Sequence, residues 1–251
     1  MPDVNNLGKK VFFLYPHSVI QDELVEQMLD DEYEVYLLRD HKKALSIFQQ
    51  NPGSICFFNI DEGLKEKEWE EYIRNLLSGG DASDILAGIL SYNSDKDLMQ
   101  KYLMDVGVPC GYIQLKLGLE ESAAIIRKVL IANEARGRRR YVRAVCEHDA
   151  LSQVNITTGT GTKTGNIVDI SSVGISCSFE VDPMFPKNML LKDLQLVMLG
   201  ARVKTAGVVF GFREDSMKRY VILFKDLSNE SKKKIRKYIY LSLQQALENQ
   251  V

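Results

Sequence analysis

No two of the four cysteines (Cys56, Cys110, Cys146, Cys177) stand close enough for a C-x-x-C pair. That argues against a zinc ribbon and against a disulfide framework. Long apolar runs are missing too. VFFLYP and ICFF are strand-sized, far short of the roughly 18 residues of a membrane span. The amino-terminal MPDVNNLGKK lacks the basic-then-apolar layout of a secretory signal, so a cytoplasmic location is expected. The three histidines (His17, His41, His148) show no metal-ligand spacing, and no G-x-S-x-G elbow exists. Residues 159–165, GTGTKTG, lack the glycine immediately before lysine that a phosphate loop needs, and read as a flexible hairpin loop. What is present is ordinary for a globular protein: 251 residues, 45% hydrophobic and 26% charged. That length suggests one or two domains, and the composition rules out wholesale disorder and a collagen-like fibre.

The net charge of −2 hides an asymmetry. Residues 1–134 carry 13 basic and 23 acidic side chains, a net of −10; residues 135–251 carry 19 and 11, a net of +8. Such a split suggests two modules with different partners, the second an anion binder.

Between Lys10 and Ala135 the pattern alternates between short apolar runs and helical periodicity. KVFFLY, EVYLL, SICFFNI, ILAGILSY and GYIQL read as strands. The segments between and after them read as amphipathic helices, one capped at Gly107. Five strand–helix units imply a doubly wound parallel sheet with helices on both faces. The unbroken apolar character of ICFF and ILAGIL suits strands buried on both sides.

This half resembles the receiver (CheY-like) domain of response regulators. The functional set of that family is incomplete here. Tyr15-Pro16-His17 follows strand one in place of an acidic pair, and Asn59 stands where the phospho-accepting Asp is expected. Ser91 matches the hydroxyl position, Lys116 lies about one residue from the lysine position, and Asp61 could serve only with a shifted register. Mg²⁺ needs clustered carboxylates, and an amide cannot attack phosphorus as a carboxylate can. The expectation is a pseudo-receiver over residues 1–135, without catalysis.

In the second half, Arg136, Arg138, Arg139, Arg140 and Arg143 crowd into eight residues. Guanidinium forks match phosphate oxygens and the O6/N7 edge of guanine, and their flat faces stack on purines. About thirty residues on comes DISSVG, residues 169–174, read as strand, tight connection, strand. Asp169 and Ser171 are two apart, so in an extended segment they share a face. Together they suit the N1–H and N2–H₂ donors of guanine, while Gly174 supplies backbone freedom at the turn. An Asp/Ser turn satisfying its own backbone is the alternative.

The ordered pair of motifs, Arg139–Arg143 as R-x-x-x-R and Asp169–Gly174 as D-x-S-x-x-G, resembles the PilZ domain over about residues 136–245. QLVMLGARVK, GVVFGF and RYVILFKDL read as further strands, and residues 228–250 as a closing helix capped by Ser228 or Asn229. The pattern departs at Ile222, where many members have glycine. The resemblance implies a small antiparallel β-barrel with a carboxy-terminal helix, spanning 136–251, that binds the bacterial second messenger cyclic di-GMP. It implies that Arg139 and Arg143 grip phosphates and guanine edges, that Asp169 and Ser171 read a guanine, and that Gly174 permits close backbone approach. Arg136 and Arg140 are additional candidates. In the family, the residue before R-x-x-x-R influences stoichiometry; here it is Arg138, which favours a stacked pair, two ligand molecules per protomer.

No cofactor or metal is expected. Unneutralised, the clustered guanidiniums should keep their segment mobile, and ligand should order it and reorient the two halves to signal to an unidentified downstream protein. Two rivals stand beside this reading. One is a nucleic-acid-binding or protein-interaction adaptor using the basic half. The other is a phosphotransfer-competent receiver using Asp61.

Overall fold

The computed structural model describes residues 8–79, 84–115, 118–137, 140–146, 149, 151–214 and 218–250. The chain divides into two compact units, Met1–Arg140 with Leu247–Val251, and Tyr141–Ala246.

The first unit is built from β1 (Val11–Leu14), α1 (Ser18–Asp30), β2 (Val35–Leu38), α2 (His41–Gln50), β3 (Ile55–Asn59), α3 (Glu66–Leu77), β4 (Leu86–Ser91), α4 (Lys96–Gln100), β5 (Tyr112–Gln114) and α5 (Leu119–Ala132). All strand pairs are parallel, in the order β2-β1-β3-β4-β5, the order of the flavodoxin- and CheY-like doubly wound sheet. Every residue of β1 and β3 is buried, as the unbroken apolar runs predict for strands covered on both faces. The caps are local chemistry. The Asp40 carboxylate accepts the Lys42 and Lys43 amides at the start of α2. Beyond α4 the backbone widens into a π-helical stretch, Lys101–Val106, a departure from the single helix read in sequence. It stops at Gly107, which adopts φ 73° and donates its N–H to the Tyr102 carbonyl at 3.1 Å.

The second unit contains β6 (Arg143–Val145), β7 (Gln153–Thr158), β8 (Gly161–Ser171), β9 (Gly174–Ser178), β10 (Leu190–Met198), β11 (Ala201–Glu214), β12 (Lys218–Lys225) and α6 (Asn229–Glu248). Strands β8-β7-β10-β11-β12-β9 form a ring that closes through β9 back onto β8, and β6 extends the β7 edge of β8. One cross-strand row, Ala144, Ile170, Ile175, Ile222 and Val209, runs through the ladders of five strands with no residue more than 2% exposed. This inward apolar row lines the core that the closed sheet surrounds. Ile235, Tyr238 and Ile239 of α6 join the same core. Ser228 accepts the Ser231 amide and caps that helix.

Within the barrel two segments differ from the sequence reading. The GTGTKTG segment is a hairpin, but its loop is only Gly159-Thr160; Gly161–Gly165 belong to β8 and pair with β7. QLVMLGARVK breaks at Leu199-Gly200, where Gly200 takes φ 74°, and ARVK joins GVVFGF in one strand, β11. Barrel closure needs long strands at these places, and local turn chemistry did not show where they end. Two short strands, β6 and β7, had no separate reading in the sequence.

Ile222 is fully buried. Its side chain takes the space left by Gly207, where an added Cβ would lie 2.8 Å from the Ile222 Cγ2.

Candidate functional site

The ladder between β6 and β8 builds the site. Arg143 stands opposite Ser171, Ala144 opposite Ile170, and Val145 opposite Asp169. Directly opposed residues share a face, and Ala144 and Ile170 point into the core. Arg143, Val145, Asp169 and Ser171 therefore occupy the outer face. The Arg143 Nη1 lies 3.6 Å from the Asp169 Oδ1, an ion pair slightly long for a direct hydrogen bond. The two side chains are 52% and 28% exposed, so both are within reach of a ligand.

Ser171 is 3% exposed and engaged in its own turn. Its hydroxyl donates to the Gly174 carbonyl at 3.2 Å and accepts the Val173 N–H at 3.4 Å. This bracing of the Ser172-Val173 turn is the local alternative left open by the sequence. Gly174 also makes a close backbone approach within the fold. Its φ is not positive; instead an added Cβ would sit 2.5 Å from the Ile222 carbonyl oxygen, so the close approach is to β12. Val145, 68% exposed beside Asp169, was not singled out from sequence. Its signal is the Arg-Ala-Val alternation of β6.

The structure thus brings Arg143, Asp169, Ser171 and Gly174 together on one hairpin and its flanking strand. Arg138 and Arg139 lie outside the described residues. Arg136 belongs to the first unit. Its guanidinium stacks 4.9 Å from the Tyr33 ring centroid and donates to the Asp31 carbonyl at 2.5 Å. Arg140 is exposed.

Past β6, a buried polar cluster anchors the chain to α6. The Tyr238 hydroxyl lies 2.6 Å from Ser152 Oγ and donates to Asp149 Oδ2 at 2.9 Å. It also lies 3.4 Å from the Cys146 Sγ, whose thiol burial pushes up to about 11. At one end of the barrel, Asp182 accepts from the Tyr220 hydroxyl and pairs with Lys218 at 3.0 Å. The Tyr220 bond leads the causes that hold the Asp182 carboxyl down at about 2.

The carboxyl end of the first sheet is occupied by its own side chains. Asn59, 1% exposed, donates to the Tyr15 carbonyl at 2.7 Å and accepts the Asp61 amide at 3.2 Å. The Asp61 carboxylate takes the Ser91 hydroxyl and the Tyr92 amide, each at 2.6 Å. The Tyr15 ring lies so close to Gly63 that a Cβ there would overlap it, and it meets the Trp69 ring edge-on at 5.9 Å. Tyr15 thus fills the end of β1 where a receiver carries acids. Among the described residues no His/Cys/Asp/Glu group is arranged to hold a metal ion. No helix among them is long and apolar enough to cross a membrane. Lys116 and His148 lie outside the described residues.

Residues 137–241 match the family model of the PilZ domain. No curated protein matches the chain. Among solved structures, it is similar to the PilZ domain with c-di-GMP of YcgR from Escherichia coli at 15% identity and a TM-score of 0.41, covering 45% of this chain and 97% of that one. It is similar to the K. pneumonia MrkH–c-di-GMP complex at 19% identity and a TM-score of 0.40, covering 47% of this chain and 57% of that one. It is also similar to the response regulator RPA3017 in red light signaling of R. palustris at 12% identity and a TM-score of 0.39, covering 49% and 91%. The chain spans about half the length of the longer YcgR and MrkH chains it matches. The closed antiparallel barrel of the second unit lies within the matched residues and agrees with the match: following a five-stranded parallel α/β unit, residues 137–241 are a PilZ domain.

Proposed function

We propose that the barrel is a receptor for cyclic di-GMP and that the chain is a non-catalytic effector. The carrying observation is the shared outer face of Arg143 and Asp169, 3.6 Å apart and both exposed enough to meet a ligand. A dianionic guanine dinucleotide needs both a cation for its phosphates and a carboxylate for the guanine N1–H and N2–H₂. Arg143 and Asp169 supply that combination in one place. Arg139 and Arg138 precede them in the chain and complete the arginine hook. Ser171 braces the turn that presents Asp169, and its hydroxyl oxygen keeps a second lone pair that can accept from guanine while it donates to the Gly174 carbonyl. Val145 offers an apolar surface beside the base.

Two ligand molecules bind per protomer under this reading, because Arg138 provides the extra guanidinium for a stacked pair. Ligand orders the arginine segment and changes how the two halves are held, which is the signal read by a downstream protein. The first unit serves as scaffold: Asn59 and Asp61 are committed to loop hydrogen bonds.

Calorimetric titration with cyclic di-GMP beside GTP and cyclic di-AMP tests ligand, selectivity and stoichiometry together. Cyclic di-GMP alone should bind, at two per chain. One ligand per chain refutes the stacked pair. Indifference to all three, with salt-dependent binding of DNA or RNA, refutes the receptor reading in favour of a nucleic-acid adaptor.

A further inference from the structure

Around the barrel, the outer-face row that starts at Arg143 and Ser171 continues through Gly174 to Leu223, Val208 and Leu190. Past Gly174 this row turns apolar, on a wall where polar residues are the rule. Leu223 and Leu190 are 38% and 42% exposed. A bulge between Val209 and Gly211 leaves Phe210 without a ladder partner, 59% exposed, beside the row. Bulges re-aim side chains, and here one turns a phenylalanine outward. A contiguous apolar strip of this kind on a folded domain marks an interaction surface. Along β11 and β12 it runs up to Lys204 and Lys225, both exposed and without an ion-pair partner among the described residues.

Cations at the border of the strip select its occupant. Two copies of the same wall face to face would set one basic half, net +8, against another, which is repulsive. The complement has to be apolar and acidic. Residues 61–105 of this chain carry 11 acidic and five basic side chains. On the π-helical stretch following α4 they present Met104, 75% exposed, next to Leu103 at 39% and to exposed Asp105. Ile131 is also exposed, at 64%, but residues 119–134 are nearly neutral, with three acids against two bases.

We infer that the wall around Phe210 docks the acidic first half of a second copy of this chain, at Met104, in a head-to-tail contact. The inference stands on the charge split and the exposed faces, and does not depend on cyclic di-GMP. A head-to-tail contact leaves one face free at each end, so association is open-ended unless it closes into a ring.

Sedimentation velocity of the full chain over about a hundredfold concentration range, at about 20 mM and about 500 mM salt, tests it. Mass should rise with concentration at low salt and fall back toward monomer at high salt. Phe210→Glu and Met104→Glu should each remain monomeric, with unchanged circular dichroism and melting. Mixed together they should form a heterodimer and stop there, because each variant keeps the face the other lacks. A monomer at every concentration overturns the inference. So does a dimer that salt strengthens, a dimer that survives both substitutions, or a mixture of the two variants that stays monomeric.

Discussion

The space where a Cβ would stand on Gly174 lies 2.5 Å from the carbonyl oxygen of Ile222. That oxygen belongs to the backbone of β12, which is paired on both sides and has no room to retreat. Gly174→Ala should therefore destabilise the barrel by about 1–3 kcal/mol, the usual range for overpacking. Urea denaturation followed by far-ultraviolet circular dichroism measures it. A variant as stable as the parent would show that glycine is needed there for some other reason.

Arg143 and Asp169 predict a split between stability and binding. A half-exposed ion pair contributes at most about 1 kcal/mol to folding. Asp169→Ala and Arg143→Ala should thus melt close to the parent. Under the cyclic di-GMP reading each removes a charged hydrogen-bond partner worth about 1.5–3 kcal/mol, roughly 10- to 150-fold in affinity. Calorimetry on both variants decides between this site and a purely electrostatic nucleic-acid site, where removing the Asp169 charge should not weaken binding.

Asn59 predicts why a carboxylate cannot simply be restored at the end of β3. Its amide nitrogen donates to the Tyr15 carbonyl at 2.7 Å. In Asn59→Asp an ionised oxygen would face that carbonyl oxygen, and the mismatch should cost about 1–3 kcal/mol at neutral pH. Protonation restores the donor, so the folded-state pKa of the new carboxyl is raised. The loss should be complete above that raised value and vanish below the unfolded value of about 3.9. Equilibrium unfolding of parent and variant across pH 3–8 checks the sign.

Asp182 should titrate at about 2, held down first by the Tyr220 hydroxyl and then by the Met184 amide and Lys218. Its folded pKa lies below the unfolded value of about 3.9. Its contribution to stability is thus present above that value and lost as pH falls through about 2. Carboxyl carbon chemical shifts followed by NMR give the pKa directly, and Tyr220→Phe should raise it toward the ordinary range.

Cys146 should resist alkylation in the folded chain near neutral pH, because burial pushes its thiol up to about 11 and leaves little thiolate. Mass spectrometry after a pulse of iodoacetamide tests this. Tyr238→Phe removes a hydroxyl shared with Ser152 and Asp149 and should cost about 1–2 kcal/mol by urea unfolding.

The elements of the first unit were legible in the sequence because each depends on near neighbours. VFFL and ICFF are apolar at every position, and only a strand covered on both faces suits that pattern. The widening of the backbone into a π-helix over Lys101–Val106 left no such trace. In the barrel, Arg143 and the Asp169–Gly174 turn could be singled out by residue type, whereas β6 and β7 were too short or too mixed to read. The ion pair between Arg143 and Asp169 rests on a strand pairing that no local pattern encodes.

By itself the chain's order of residues determined the two modules, their opposite charge, the alternation of strands and helices, and the residue types gathered in the two motifs. These follow from spacing and side-chain chemistry, which act over a few positions. Tertiary structure alone decided that Gly174 yields to β12, that Ser171 braces its turn, that Asp61 reaches Ser91, and that an apolar strip continues the Arg143 row around the wall. Each of these is set by which strands become neighbours when the sheet closes or the crossovers wind, and that neighbourhood is fixed by burying the whole core at once.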